Sequence, residues 1–326
     1  MSSERQSSMP HTGIATFAKA PFVEDLDTLD ADVGILGVPT DSAAGMRPGC
    51  RQAPRSIRDA STRFGFIGRG GARGYFDINQ DRRLLEGVRI ADCGDADVIF
   101  YDVERNVAAI ESSVRAILNR GALPVVIGGD HSISYPSIRA FDRFNPLTIV
   151  LFDAHLDYRD EVLGLKLTNN SPFRRAQELP FVERIITIGV RGVKSTDREL
   201  RETLERGNLV FSNYEVFDLG HQGILDRLPA ELGNYYVSID IDALDPSIAP
   251  GTESPEAEGL SYTHIKRIMQ GLASRGRMVG LDLVEVNPYL DHAELTQHMA
   301  AQLLIEGMAT AFTGAGSVQG SWQSPR

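Results

Sequence analysis

Strand-length apolar runs alternate with helical stretches along almost the whole chain, and this order limits the possible fold more than any other feature. The runs at 33–38, 123–127, 148–152, 184–190, 209–211, 235–241 and 278–284 are largely apolar throughout. Strands buried on both faces read this way, because each side chain meets a covering layer whichever way it points. Between them, 51–63, 103–119, 134–144, 197–206, 262–274 and 295–312 carry helical patterns. Strands alternating with helices imply an α/β fold, a parallel sheet with helices on both faces. The chain has 326 residues, enough for one large α/β domain or two small ones. No Pro/Gly/Ser-rich linker and no internal repeat divides it, so residues 1–20 read as a polar tail and 21–326 as a single domain.

Composition removes several classes of function. A hydrophobic share of 42% can fill a core, which excludes general disorder. A formal net charge of -11 argues against a nucleic-acid partner and mildly favours a cationic substrate or a metal. The two cysteines, Cys50 and Cys93, form no disulfide framework and suit a reducing cytoplasm. The first residues, MSSERQSSMPHTG, lack the apolar stretch of a signal peptide. No run approaches the ~20 apolar residues that span a bilayer.

Three segments concentrate the chemistry. SIDIDALDP (238–246) places Asp240, Asp242 and Asp245 at the end of an apolar strand. Carboxylates held that close repel one another unless a cation lies between them. GGDHS (128–132) and FDAHLD (152–157) also end apolar runs, and supply His131, Asp153, His155 and Asp157. Taken alone, a Gly-Gly-Asp-His turn reads as a capped helix start. On an extended backbone, Asp153, His155 and Asp157 would share one face, which is costly to bury without a cation or hydrogen-bond partners. Each cluster stands at a strand end, where open α/β sheets bind ligands. Nitrogen and oxygen ligands without cysteine suit a pair of hard or borderline divalent ions. Ser238 and Asp245 read as supporting residues behind such a site.

The same motifs, in order and spacing, give the chain its resemblance to the ureohydrolase family of arginases, agmatinases and guanidinobutyrases. GVPTDSAAGMRPGCRQAPRSIRDAS (37–61), GGDHS, DAHLD, SPFRRA (171–176), SIDIDALDPSIAPGT and LDLVEVNP (281–288) carry it over nearly the whole chain. The resemblance implies a three-layer α/β/α sandwich around a central eight-stranded parallel sheet. It implies a homo-trimer or hexamer. It further implies two divalent ions, manganese first and nickel second, and hydrolysis of a guanidino compound to urea plus an amine. Carried onto this sequence, His131, Asp153, His155, Asp157, Asp240 and Asp242 would hold the metals. Asp157 would relay a proton, and Glu285 would pair with the substrate guanidinium. The agmatinase-like 37–61 segment points to agmatine or guanidinobutyrate rather than arginine.

The chain departs from the family pattern in places that border the implied site. Asn169 stands in TNNSPFRR where many relatives have a histidine, and an amide cannot shuttle a proton near neutral pH. Glu253 stands in GTESPE where a glycine is usual, and Gln52-Ala53 replaces a Phe-Gly pair. Asn169 and Glu253 are therefore candidate substrate contacts. The departures leave open a smaller or substituted guanidine or biguanide as substrate. They also leave open a weakly active accessory subunit of a hetero-oligomer.

Overall fold

In the computed structural model, residues 9–68 and 74–313 are described. The strands are β1 (Val33–Val38), β2 (Tyr75–Asp77), β3 (Arg82–Leu84), β4 (Ile90–Asp95), β5 (Leu123–Gly128), β6 (Leu147–Phe152), β7 (Val182–Val190), β8 (Leu209–Ser212), β9 (Gly233–Asp240) and β10 (Gly276–Val284). The helices are α1 (Ala53–Ser61), α2 (Gly65–Gly68), α3 (Val103–Asn119), α4 (Ser134–Arg139), α5 (Pro172–Ala176), α6 (Asp197–Glu205), α7 (Asn213–Arg227), α8 (Tyr262–Leu272) and α9 (Leu295–Ala311). An 8-stranded sheet runs in the order β4-β1-β5-β10-β9-β6-β7-β8, and every pairing in it is parallel. The hairpin β2-β3 stands apart as a small antiparallel sheet.

Successive side chains of the central strands enter opposite layers. In β5, Val125 and Ile127 join one apolar cluster and Val126 the other. The first cluster is completed by Ile57 of α1, Val216 of α7, Ile268 of α8 and Leu304 of α9. The second is completed by Val114 of α3, Ile138 of α4 and Phe173 of α5. A sheet covered on both faces in this way is a three-layer α/β/α sandwich. No helix among the described residues is long and apolar enough to cross a membrane.

Several expectations shift. β4 went unread because Cys93, Gly94 and Asp95 interrupt its apolar run, which an edge strand tolerates. α7 also went unread. Its Ser212–Glu215 capping box starts it firmly, but Gly220, at φ 65°, breaks its period. The helix expected over 134–144 ends at Arg139. Pro146 disfavours helical backbone at Asn145, and the intervening residues close as turns, with Phe144 N donating to Phe141 O at 2.9 Å.

Residues 1–8 of the expected tail lie outside the described residues, and the packed body begins before residue 21. Phe17, Ala18 and Ala20 are buried, and Phe17 N donates to Asp92 Oδ2 at 2.7 Å. Asp92 is itself buried and takes two hydrogen bonds from Arg58, at 2.8 and 3.0 Å. Arg58 is only 8% exposed. Asp92→Ala therefore leaves a buried guanidinium short of its partner and the Phe17 amide unsatisfied. An unfolding free energy lower by about 3–5 kcal/mol is expected, measured from the denaturant midpoint. A change within the scatter of surface substitutions would show that this network does not secure the N-terminal segment.

Candidate metal centre

The four central strands β5, β10, β9 and β6 end on one edge of the sheet, and their loops carry most of the residues singled out from the sequence. After β5 the chain turns sharply at Gly129. A Cβ there would stand 1.9 Å from the Thr40 carbonyl oxygen, so glycine is required for the turn that presents His131. Asp130 fixes the next turn by accepting a hydrogen bond from Ser132 N at 2.9 Å.

The loop after β6 delivers Asp153, His155 and Asp157, though not by strand alternation. The residues after Phe152 leave extended backbone, and Asp157 lies at φ 46°. Asp153 Oδ1 accepts from His155 N at 2.6 Å, and Phe173 N of α5 donates to Asp157 O at 3.2 Å. The expected shared face is thus made by a folded loop. The loop after β9 carries Asp242, whose N–H donates to Asp240 Oδ1 at 2.8 Å. Arg191, only 8% exposed, holds this loop by donating to the carbonyl oxygens of Asp242, Ala243 and Leu244.

Two ligand groups result, with Asp153 common to both. His131 Nδ1 lies 3.0 Å from Asp157 Oδ2, 3.1 Å from Asp240 Oδ2 and 3.3 Å from Asp153 Oδ2. His155 Nδ1 lies 3.1 Å from Asp242 Oδ2 and 3.5 Å from Asp153 Oδ1. His131 Nδ1 and Asp153 Oδ2 are buried, and neither is aligned with a partner as a hydrogen bond. Around one ion with bonds of about 2.1 Å, neighbouring ligand atoms stand about 3 Å apart. The spacing and the unaligned lone pairs therefore fit two cations sharing the Asp153 carboxylate.

The second ring nitrogen of His131 supports the same orientation. Ser238 Oγ donates to Asp282 Oδ1 at 2.5 Å, so it accepts from His131 Nε2–H at 3.1 Å. Tyr236 OH donates to the other Asp282 oxygen at 2.8 Å. With a cation among the carboxylates, this chain would hold the ring tautomer that offers Nδ1 to it. Asp245 lies outside the cluster and organises its own loop, accepting from Ser247 N and Gly259 N, each at 2.9 Å.

The charge balance of the cluster calls for cations. Burial pushes the Asp240 carboxyl far up, and Asp242 and Asp153 push it further. Burial and the Asp153 charge raise Asp157 to about 6. Burial opposes charge on His155, but Asp242 and Asp153 outweigh it and hold the imidazole up at about 12. Burial also opposes charge on Asp153, but His131 and His155 outweigh it and hold the carboxyl at about 2.

Glu285, beside β10, belongs to a third group with Cys50 and Glu253, one ligand atom of each lying within 4.8 Å of the others. It sits at φ 65°, and its N–H donates to Gly129 O at 2.9 Å. Its Oε1 accepts from His131 N at 2.7 Å, which ties it to the metal-ligand loop. Its Oε2 faces Cys50 Sγ at 3.4 Å. Burial and the Glu285 charge push the Cys50 thiol far up, so it remains an S–H donor.

Asn169 is half-buried on the loop before α5, and its Oδ1 accepts from Asn170 Nδ2 at 2.7 Å. Among the hydrogen bonds of the described residues, none joins Asn169 to the cluster. Sequence reasoning passed over Cys50, which meets Glu285 across 235 positions, and Glu256, whose Oε1 lies 3.5 Å from His155 Nε2. Neither carries a local signal that would have singled it out.

Known proteins are similar to this chain. Residues 31–309 match the model of the Arginase family. The guanidinopropionase of Pseudomonas aeruginosa is 34% identical over 299 residues, covering 90% of this chain and 90% of that protein. The mitochondrial guanidino acid hydrolase of Homo sapiens is 32% identical over 299 residues, covering 90% of this chain and 82% of that protein. Among solved structures, the proclavaminate amidino hydrolase of Streptomyces clavuligerus superposes with a TM-score of 0.82 at 28% identity, covering 93% of this chain and 98% of that one.

Proposed function

The chain belongs to the Arginase family, and from that premise we propose that it hydrolyses a cationic guanidino compound to urea and an amine at a binuclear metal centre. As a member it is a hydrolase acting on guanidino carbon–nitrogen bonds. The observation that carries the finer reading is the pair of ligand groups sharing Asp153, with the Glu285 carboxylate fastened to the same loop. His131, Asp153, Asp157 and Asp240 would hold one ion, and Asp153, His155 and Asp242 the other. Manganese is the first candidate and nickel the second, since imidazole and carboxylate donors suit both. When bound, two such ions lower the pKa of the water they hold toward ~7 and orient it.

The protein groups supply the rest. Glu285 presents a buried carboxylate to a planar guanidinium, a pairing that fixes orientation as well as charge. The Cys50 thiol and the His131 amide hold that carboxylate in place. Asp157, a carboxylate of the ligand cluster, would take up a proton during attack and return it to the leaving amine. The leading substrates are ω-guanidino compounds such as agmatine and 4-guanidinobutyrate. A small or substituted guanidine is a second reading, favoured by the buried Glu253 carboxylate beside Glu285.

The test is urea release across agmatine, 4-guanidinobutyrate, 3-guanidinopropionate, arginine, guanidine, methylguanidines and metformin, with protein loaded separately with manganese and nickel. Metal content measured alongside should reach two ions per chain. Fast urea formation from one compound, abolished by removing the metal, is the expected result. Full activity in metal-free protein would rule the mechanism out.

A further inference from the structure

Glu253 is only 4% exposed. Its Oε1 accepts from Met46 N at 2.8 Å, while its Oε2 is buried with no hydrogen-bond partner. The nearby Arg47 does not neutralise it, because that guanidinium binds backbone instead. Its Nε donates to Glu253 O at 2.9 Å, and another of its nitrogens to Thr252 O at 3.3 Å. An unpaired buried carboxylate is costly, and here it faces a second one, Glu285, across a gap within 4.8 Å. Both neighbours of that gap that could donate are already turned to other acceptors: Cys50 Sγ meets Glu285 Oε2, and His131 N meets Glu285 Oε1.

We infer that Glu253 is a specificity-determining residue which, with Glu285, makes the pocket selective for carboxylate-free guanidinium cations over guanidino acids. The inference rests on the binuclear amidinohydrolase reading above and narrows its substrate. The two carboxylates lie near enough to share one donor group. The two hydrogens of one –NH2 group diverge by about 120°, so with hydrogen bonds of about 2.9 Å they reach oxygens about 5 Å apart. A single edge of a planar amidinium therefore bridges Glu253 and Glu285. Two carboxylates on one cation give charge-assisted bonds from both sides. A guanidino acid would bring an additional negative charge toward this pair of buried carboxylates, and like charges in a buried region are mutually unfavourable.

Glu253→Gln keeps an acceptor for Met46 N, and the loop is otherwise held through its backbone. Thr252 bridges to Val286, Asn287 N donates to Gly251 O at 2.7 Å, and Thr296 Oγ1 accepts from Gly251 N at 2.8 Å. The experiment uses metal-loaded wild type, Glu253→Gln and Glu253→Gly, with unfolding temperatures recorded to verify folding. The probes are N-propylguanidine and 3-guanidinopropionate, nearly equal in shape and different in one carboxylate. Both kcat/KM from urea release and Kd from calorimetry are read.

Wild type should favour N-propylguanidine at least tenfold by either measure. Glu253→Gln should bring that ratio close to one, chiefly through KM and Kd, and Glu253→Gly should do the same. A wild-type preference for the acid, or a ratio that Glu253→Gln leaves unchanged, overturns the inference. So does metal analysis showing three ions per chain that fall to two in Glu253→Gln, because the carboxylate would then serve a third ion. Absence of urea from every guanidine with two ions bound would sink the hydrolase reading, while the calorimetric ratio would still decide this one.

Discussion

Asp153→Asn protein is expected to fold, to hold fewer than two divalent ions per chain, and to release urea about a thousandfold more slowly. The reason is placement. Asp153 is the carboxylate common to both ligand groups, with one oxygen 3.3 Å from His131 Nδ1 and the other 3.5 Å from His155 Nδ1. An amide keeps the shape and can still accept from His155 N through its oxygen, but it loses the charge and one of the two acceptor atoms. A thousandfold loss corresponds to about 4 kcal/mol of transition-state stabilisation. Elemental analysis and steady-state urea release measure the two effects separately. Thermal unfolding gives a third reading, since an ion that binds only the folded chain raises its stability by mass action. Added manganese or nickel should raise the unfolding temperature of wild type and move that of Asp153→Asn much less. Wild-type metal content and rate in the variant would show that the two groups do not share a ligand.

The strand-end clusters were legible because their chemistry is local. A run of Asp and His directly after an apolar strand declares itself within a few residues, as in FDAHLD and SIDID. Parallel topology then does the rest, since β5, β10, β9 and β6 are neighbours with their ends on one edge. Side-chain alternation does not bring Asp153 and Asp157 together, because the loop folds back through a left-handed residue at Asp157. Cys50 was illegible, since it packs in a short turn before α1 and meets Glu285 only through the tertiary fold. Asn169 drew notice as a departure from a motif, yet its recorded side-chain bond is to its own neighbour. Glu253 departs from the motif in the same way, and its carboxylate lies beside Glu285. A departure from a motif thus flags a position without saying where its side chain goes. The missed elements have a similar cause: β4 and α7 are carried by pairing and capping, while glycines blur their periodicity.

Glu285→Gln is expected to keep two ions per chain and to lose about a hundredfold or more in kcat/KM. This outcome would separate substrate positioning from metal binding, which Asp153→Asn cannot do. The Glu285 side chain meets the ligand loop at the backbone amide of His131, at 2.7 Å, and not at a ligand atom, so replacing its charge leaves the metal donors in place. The substrate is affected at once. A guanidinium presents only donors, and the carboxylate answers with two acceptors and a negative charge. Glutamine offers one acceptor and one donor, so a paired contact becomes a single neutral bond facing a repelled N–H. The Cys50 thiol and the His131 amide, both donors, meet the same mismatch on the other side. A hundredfold loss is about 2.7 kcal/mol, within the range for removing one partner of a desolvated charged pair. The defect should appear in KM for binding and in kcat for the carbon no longer held over the metal centre. Glu285→Asp retains the charge on a shorter side chain, so it should recover part of the binding and little of the turnover. Equal kcat/KM in Glu285→Gln and wild type would show that the guanidinium is held by another group, with Glu253 the nearest remaining carboxylate.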